Sequence, residues 1–134
     1  MGLLGTLVLV LMVTVLAGVA YARIISGTNK ADELQGIKGP DQMSGYNAPD
    51  HIWGQAGGDD LWGGAQDDEV YGQRGADTVD GGTGNDTLRG GPGDDDIHAA
   101  DGWDDDVYCG PGYDRAFADE DGDWVSDTCE QVNF

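Results

Sequence analysis

The chain holds 134 residues and sets 26 acidic side chains against 6 basic ones, a formal net charge of −20. Asp accounts for 22 of the acids and Gly for another 24 residues, so turn formers dominate and an ordinary helical or doubly wound domain is excluded. The length fits one small domain, and so acidic a surface repels phosphate backbones, which removes nucleic acid as a partner.

Residues 3–22 carry no charge and are rich in Leu, Val and Ala. The run closes on Ala20-Tyr21-Ala22, the small-x-small pattern of a signal-peptidase site, so residues 1–22 read as a signal peptide. At about 20 residues the same run is long enough for an uncleaved N-terminal membrane anchor. Either way the acidic portion, from Arg23 on, is expected outside the cell, secreted or held at the outer face of the membrane.

From Gly27 a strict period of nine begins. Glycine recurs at 27, 36, 45, 54, 63, 72, 81 and 90, and Asp at 32, 41, 50, 59, 68, 77, 86 and 95. Two residues after each Asp stands an apolar side chain: Leu34, Met43, Ile52, Leu61, Val70, Val79, Leu88 and Ile97. A unit from Ala99 to Tyr108 is ten residues long, with Asp105 and Val107 in the acidic and apolar places. The unit from Cys109 to Phe117 returns to nine, with Cys109 in the leading glycine place and Asp114 in the acidic one. Such a period is the mark of a repeat architecture.

The spacing has a chemical logic. Glycines at the first, second and fourth places permit positive φ and a tight turn with inward carbonyls. Asp at the sixth place adds a hard carboxylate oxygen. Calcium prefers roughly six to eight such oxygens in irregular geometry. Places seven to nine read as a short extended segment with only the eighth residue turned inward. Each repeat is then half a coil, and repeats two apart stack. Asp32, Asp50, Asp68, Asp86 and Asp105 fall on one edge; Asp41, Asp59, Asp77, Asp95 and Asp114 fall on the other. Stacked strands lie about 4.8 Å apart, where neighbouring carboxylates repel by roughly 3–4 kcal/mol per pair. One apolar side chain per repeat contributes about 1.5–3 kcal/mol against a backbone ordering cost of about 1–2 kcal/mol per residue. A divalent cation between the turns would convert that repulsion into coordination and make binding and folding one event.

The two most regular units are GGTGNDTLR, Gly81 to Arg89, and GGPGDDDIH, Gly90 to His98. They resemble the repeats-in-toxin (RTX) nonapeptide G-G-x-G-x-D-x-U-x, with U apolar, a calcium-binding parallel β-helix repeat. The likeness runs from about Gly27 to Phe117. It implies an all-β fold, a right-handed parallel β-roll of nine-residue half-turns, that binds several Ca²⁺ as its only cofactor. Among its relatives the chain is most similar to standalone calcium-binding repeat proteins of Gram-positive bacteria, and a monomer is expected. The expected ligands are Asp59, Asp68, Asp77, Asp86, Asp95, Asp105 and Asp114, with the turn glycines Gly82, Gly84, Gly91 and Gly93. Asp50 lies at the margin: the N-terminal units depart from the pattern at Lys30, Ala48, Pro40 and Pro49, so those turns are expected to cap the coil rather than hold metal.

Beyond Phe117 the period stops, and residues 118–134 read as an acidic C-terminal cap. Asp119, Asp121, Asp123 and Asp127, with Gly122 between, resemble the aspartate loops of thrombospondin type 3 repeats and, less closely, EF-hands. The segment is either a further calcium site or a cap with solvated acids. Cys109 and Cys129 form the only cysteine pair, and in an exported chain such a pair is most simply a disulfide. A loop of about 20 residues closed this way gains roughly 3 kcal/mol.

The outward ninth place carries Trp53, Tyr71, Arg89 and Tyr108 on one edge, a cation–π ladder that could contact a cell-surface glycan or protein. This is the alternative function, an adhesion module with structural calcium. Enzymatic activity is not expected: His51 and His98 occupy different repeat places, and no serine sits in a nucleophile motif.

Overall fold

A computed structural model describes residues 9–11 and 22–134. The expected signal peptide or anchor lies almost wholly outside the described residues. Among those described, no helix is long and apolar enough to cross a membrane.

The chain is a right-handed parallel β-solenoid in which each coil gives one strand to each of two sheets. The first sheet holds β1 (Leu9–Leu11), β2 (Arg23–Ser26), β4 (Asp41–Asn47), β6 (Asp60–Ala65), β8 (Thr78–Thr83), β10 (Asp96–His98), β12 (Arg115–Phe117) and β14 (Gln131–Asn133), in that order. The second stacks β3 (Glu33–Gln35), β5 (His51–Ala56), β7 (Glu69–Arg74), β9 (Thr87–Arg89), β11 (Asp106–Tyr108) and β13 (Trp124–Val125). All pairings are parallel except β1 with β2. Register advances by two repeats per coil: Ile52 pairs with Val70, Leu61 with Val79, Val70 with Leu88. The ten-residue unit is absorbed without a slip, since Val107 still faces Leu88.

The apolar spine is continuous. Ile25, Leu34, Met43, Ile52, Leu61, Val70, Val79, Leu88, Ile97, Val107 and Ala116 are all buried in one cluster. The eighth residue, however, does not fill the interior alone. The first-place glycines from Gly36 to Gly90 and the sixth-place aspartates are buried beside it, and the ten aspartates from Asp32 to Asp114 are at most 2% exposed.

Strand length departs from the three-residue expectation. From Asp41 to Thr83 the strands run six or seven residues, because pairing continues past the buried glycine, as in Gln55 with Gln73 and Gly64 with Gly82. From β9 onward they contract to three residues or fewer. The first-place glycines do not serve positive φ either. A Cβ on Gly72 would stand 2.5 Å from Asp77 Oδ2 and 2.7 Å from the carbonyl of Gly90, so close approach is what demands glycine there. Positive φ belongs to the second and fourth places, and the second adopts it even without glycine, as at Tyr46, Gln55 and Gln73.

The coil continues past Phe117, where the sequence reading ended the period: Asp123 and Val125 still follow Asp114 and Ala116 by nine residues. β13 adds to β11 and β14 to β12, with Val125 paired to Val107 and Val132 to Ala116. Residues 118–133 thus form one last irregular turn. The disulfide between Cys109 and Cys129 ties it down, with Cα atoms 5.1 Å apart. The ladder bond of the Cys109 amide goes to the Ser126 hydroxyl at 3.4 Å, whereas the equivalent Gly90 amide bonds the Tyr108 carbonyl.

Candidate metal centre

Where the chain turns at the sixth place, the strand ladder is carried by a side chain. Each Asp amide donates to the Oδ1 of the Asp one coil further on: Asp32 to Asp50, Asp50 to Asp68, Asp68 to Asp86 and Asp86 to Asp105 along one edge. Along the other, Asp41 donates to Asp59, Asp59 to Asp77, Asp77 to Asp95 and Asp95 to Asp114. These bonds are 2.7–2.8 Å long. The two edges are those the spacing of the aspartates implies.

The second oxygen separates the units. Asp32 Oδ2 accepts from the Thr28 amide and hydroxyl, and Asp41 Oδ2 accepts from the Ile37 amide. From Asp50 to Asp114 the Oδ2 is buried with no hydrogen-bond partner in all eight aspartates. Buried carboxylate oxygens without partners are costly, and a run of them fits a cation that would be held there. Burial accordingly raises these carboxyls. Asp59, Asp68, Asp86 and Asp95 are pushed up to about 7 and Asp105 to about 8, by desolvation first and by neighbouring aspartates after that, against the lowering effect of the amide bond. Asp50, Asp77 and Asp114 are raised for the same leading reason.

The turn carbonyls add to this oxygen set. Fourth-place amides donate to third-place carbonyls of the next coil, as Gly75 to Pro92 and Gly93 to Pro111. Among the described residues the carbonyls of Gly91 and Gly93 accept no hydrogen bond. They lie between stacked turns, where a Cβ on Gly110 or Gly112 would collide with them. Gly82 and Gly84 are arranged likewise over the carbonyls of Gly64 and Gln66. Among the described residues no three His, Cys, Asp or Glu side chains converge on one point. The available set is therefore two aspartates plus backbone carbonyls, an all-oxygen environment suited to a hard cation of flexible geometry.

Four overlapping matches to the RTX calcium-binding nonapeptide repeat cover residues 35–70, 44–79, 71–104 and 80–116. The chain belongs to the RTX calcium-binding repeat family. No curated protein and no solved structure matches it. The RTX matches end at residue 116, yet the ladder goes on: the Asp105 amide donates to Asp123 and the Asp114 amide to Glu130. Glu130 in the sixth place escaped the sequence reading because the last coil is shortened by two residues, and only the pairing of Val132 with Ala116 restores the register.

The Asp119–Asp127 segment does not close into a loop around one point. Asp123 spends both oxygens on the amides of Asp105 and Asp119, Asp119 accepts from Gly102, and Asp121 and Asp127 are exposed. His51 sits 3.3 Å from Glu69 and His98 stacks on Phe117, on different sheets. Trp53 and Tyr71 stack with ring centroids 6.0 Å apart, and Arg89 lies 5.9 Å from the Tyr71 ring and 4.1 Å from that of Tyr108.

Proposed function

We propose that the protein is an exported calcium-binding β-roll whose coil, while its ladder aspartates are ionised, forms only when Ca²⁺ occupies the gaps between stacked turns. The observation that carries this reading is the run of eight buried Oδ2 atoms without partners, Asp50 to Asp114. Asp59, Asp68, Asp77, Asp86, Asp95, Asp105 and Asp114 would supply carboxylate oxygens, with Asp50 at the end of the series. The turns at Gly82, Gly84, Gly91 and Gly93 would supply carbonyls. A bound divalent ion offsets the charge of two stacked aspartates and satisfies the oxygens that burial strips of water. The first coil, where Thr28 and Ile37 already donate to the Oδ2 of Asp32 and Asp41, and the segment 118–134 act as caps. Residues 1–22 direct export, consistent with the extracellular setting of the family.

Circular dichroism of the portion from Arg23 to Phe134, titrated with calcium at about pH 8, tests the proposal. A cooperative coil-to-β change is expected with calcium and not with magnesium, which keeps its waters and demands a smaller octahedral shell. A compact β-rich spectrum in excess chelator at that pH would overturn it.

A further inference from the structure

A groove runs along the coil axis where the second sheet bends at its buried glycines. Ninth-place side chains form one wall and second- and third-place side chains the other. One cleft of it, about 540 Å³, lies between Tyr71 and Arg89 on one side and Gln73, Arg74 and Pro92 on the other. A second cleft of about 420 Å³ continues it toward Glu33, Gln35 and Trp53, and the two share Gln55 and Gln73.

The charge of the first cleft is opposite to that of the molecule. The chain carries 26 acids and only 6 bases, yet this cleft is lined by two of those bases, Arg74 and Arg89, and by no Asp or Glu. Glu33 lies at the far end, in the second cleft, so the Arg74–Arg89 end is where a carboxylate fits. Arg89 is fixed between the rings of Tyr71 and Tyr108. The nearby Glu69 is engaged by the Tyr71 hydroxyl at 2.7 Å and by His51.

The glutamines add an independent observation. Gln55 and Gln73 hold φ of 84° and 76°, in the left-handed region, where the second place of later repeats has glycine at Gly82, Gly91 and Gly110. A side chain there is costlier than glycine, as it is at Tyr46 in the same place on the first sheet, so the coil imposes the conformation and the groove inherits its consequence. The strain places two amides, paired in register, along the same groove. The groove crosses strands already paired on both sides, so a peptide could not add to it as a further strand. What remains is recognition by side chains alone: guanidinium for carboxylate, amides for hydroxyls, and ring edges beside them.

We propose that this groove binds a short linear oligosaccharide bearing carboxylate groups, with Arg74 and Arg89 on a carboxylate and Gln55 and Gln73 on hydroxyls. Titration calorimetry of the calcium-saturated full chain with trigalacturonic acid tests it, with maltotriose as the neutral sugar and triglutamate as the acidic peptide. Trigalacturonate alone should bind. Affinity should fall about tenfold or more in Arg74→Gln and several-fold in the double variant Gln55→Gly/Gln73→Gly. Both sets of side chains are at least partly exposed, and circular dichroism of each variant confirms its coil. Equal binding of maltotriose or triglutamate, unchanged binding in either variant, or no binding of trigalacturonate would overturn the assignment.

Discussion

At the scale of single residues, glycine and aspartate do different work from what their residue types suggest. The first-place glycine is a matter of space: at Gly72 the Asp77 carboxylate and the Gly90 carbonyl occupy the volume a methyl would need. Gly72→Ala should therefore cost about 1–3 kcal/mol by overpacking. Gln73→Gly next to it should change stability the other way, because glycine relieves a left-handed residue that costs about 1–2 kcal/mol at the expense of some unfolded-chain entropy. Unfolding midpoints in calcium decide both, and opposite signs at adjacent positions are the expected result. The aspartates are divided between two tasks, Oδ1 for the ladder and Oδ2 for a ligand. Replacing Asp77 and Asp95 by Asn keeps an oxygen to accept the amides of Asp59 and Asp77 but removes the charge. The double variant should be more structured than the parent in chelator, yet need roughly tenfold more calcium to reach its midpoint. Asp80→Asn should leave both values unchanged, since the Asp80 carboxylate caps the Gly82 amide at the surface. If the double variant binds calcium like the parent, the Oδ2 atoms are not ligands.

At the scale of strands and turns, the period of Gly, Asp and apolar residues made the two sheets, the 18-residue register and the disulfide partners legible before any coordinates. Periodic sequence shows only what repeats, however. Strands of six residues in β5 to β8 arise because Gln55, Gly64 and Gln73 continue pairing through the turn, a property of stacked neighbours and not of one repeat. The final coil was hidden for a related reason: Asp123 and Val125 still keep the period of nine from Asp114 and Ala116, but the glycines that mark the repeat are gone, and Glu130 takes the last sixth place only seven residues later, where the fold supplies the register. The candidate site was legible in its residue types, but the division of each carboxylate between a ladder oxygen and an unpartnered one appears only in the stacked coil. The Cys109–Cys129 bond holds that irregular coil over the Asp105 and Asp114 rungs. Reduction should lower stability by roughly 3 kcal/mol and raise amide exchange first in residues 118–133. Uniform loss of protection along the whole coil would show that the bond does not act locally.

At the scale of the whole molecule, two ladders of buried acids make stability depend on protons as well as on calcium. An unfolded Asp titrates near 3.8, whereas Asp59, Asp68, Asp86 and Asp95 in the coil titrate at about 7 and Asp105 at about 8. The folded state therefore binds more protons than the unfolded one between those values, and its stability falls as pH rises through that interval. Below about pH 4 both states are protonated and the contribution is complete; above about pH 8 it is gone. Metal-free protein should accordingly gain β-structure when acidified from pH 8 to pH 5, with no cation added. Protons and calcium compete for the same oxygens, so the calcium midpoint should shift to lower concentration as pH rises from 6 to 8. Ordinary salt-bridged acids would give the reverse trend, since their lowered values make a fold weaker in acid. Circular dichroism in chelator across this range distinguishes the cases: a chelated coil no more ordered at pH 5 than at pH 8 would mean that the aspartate ladders are not what keeps the metal-free chain unfolded.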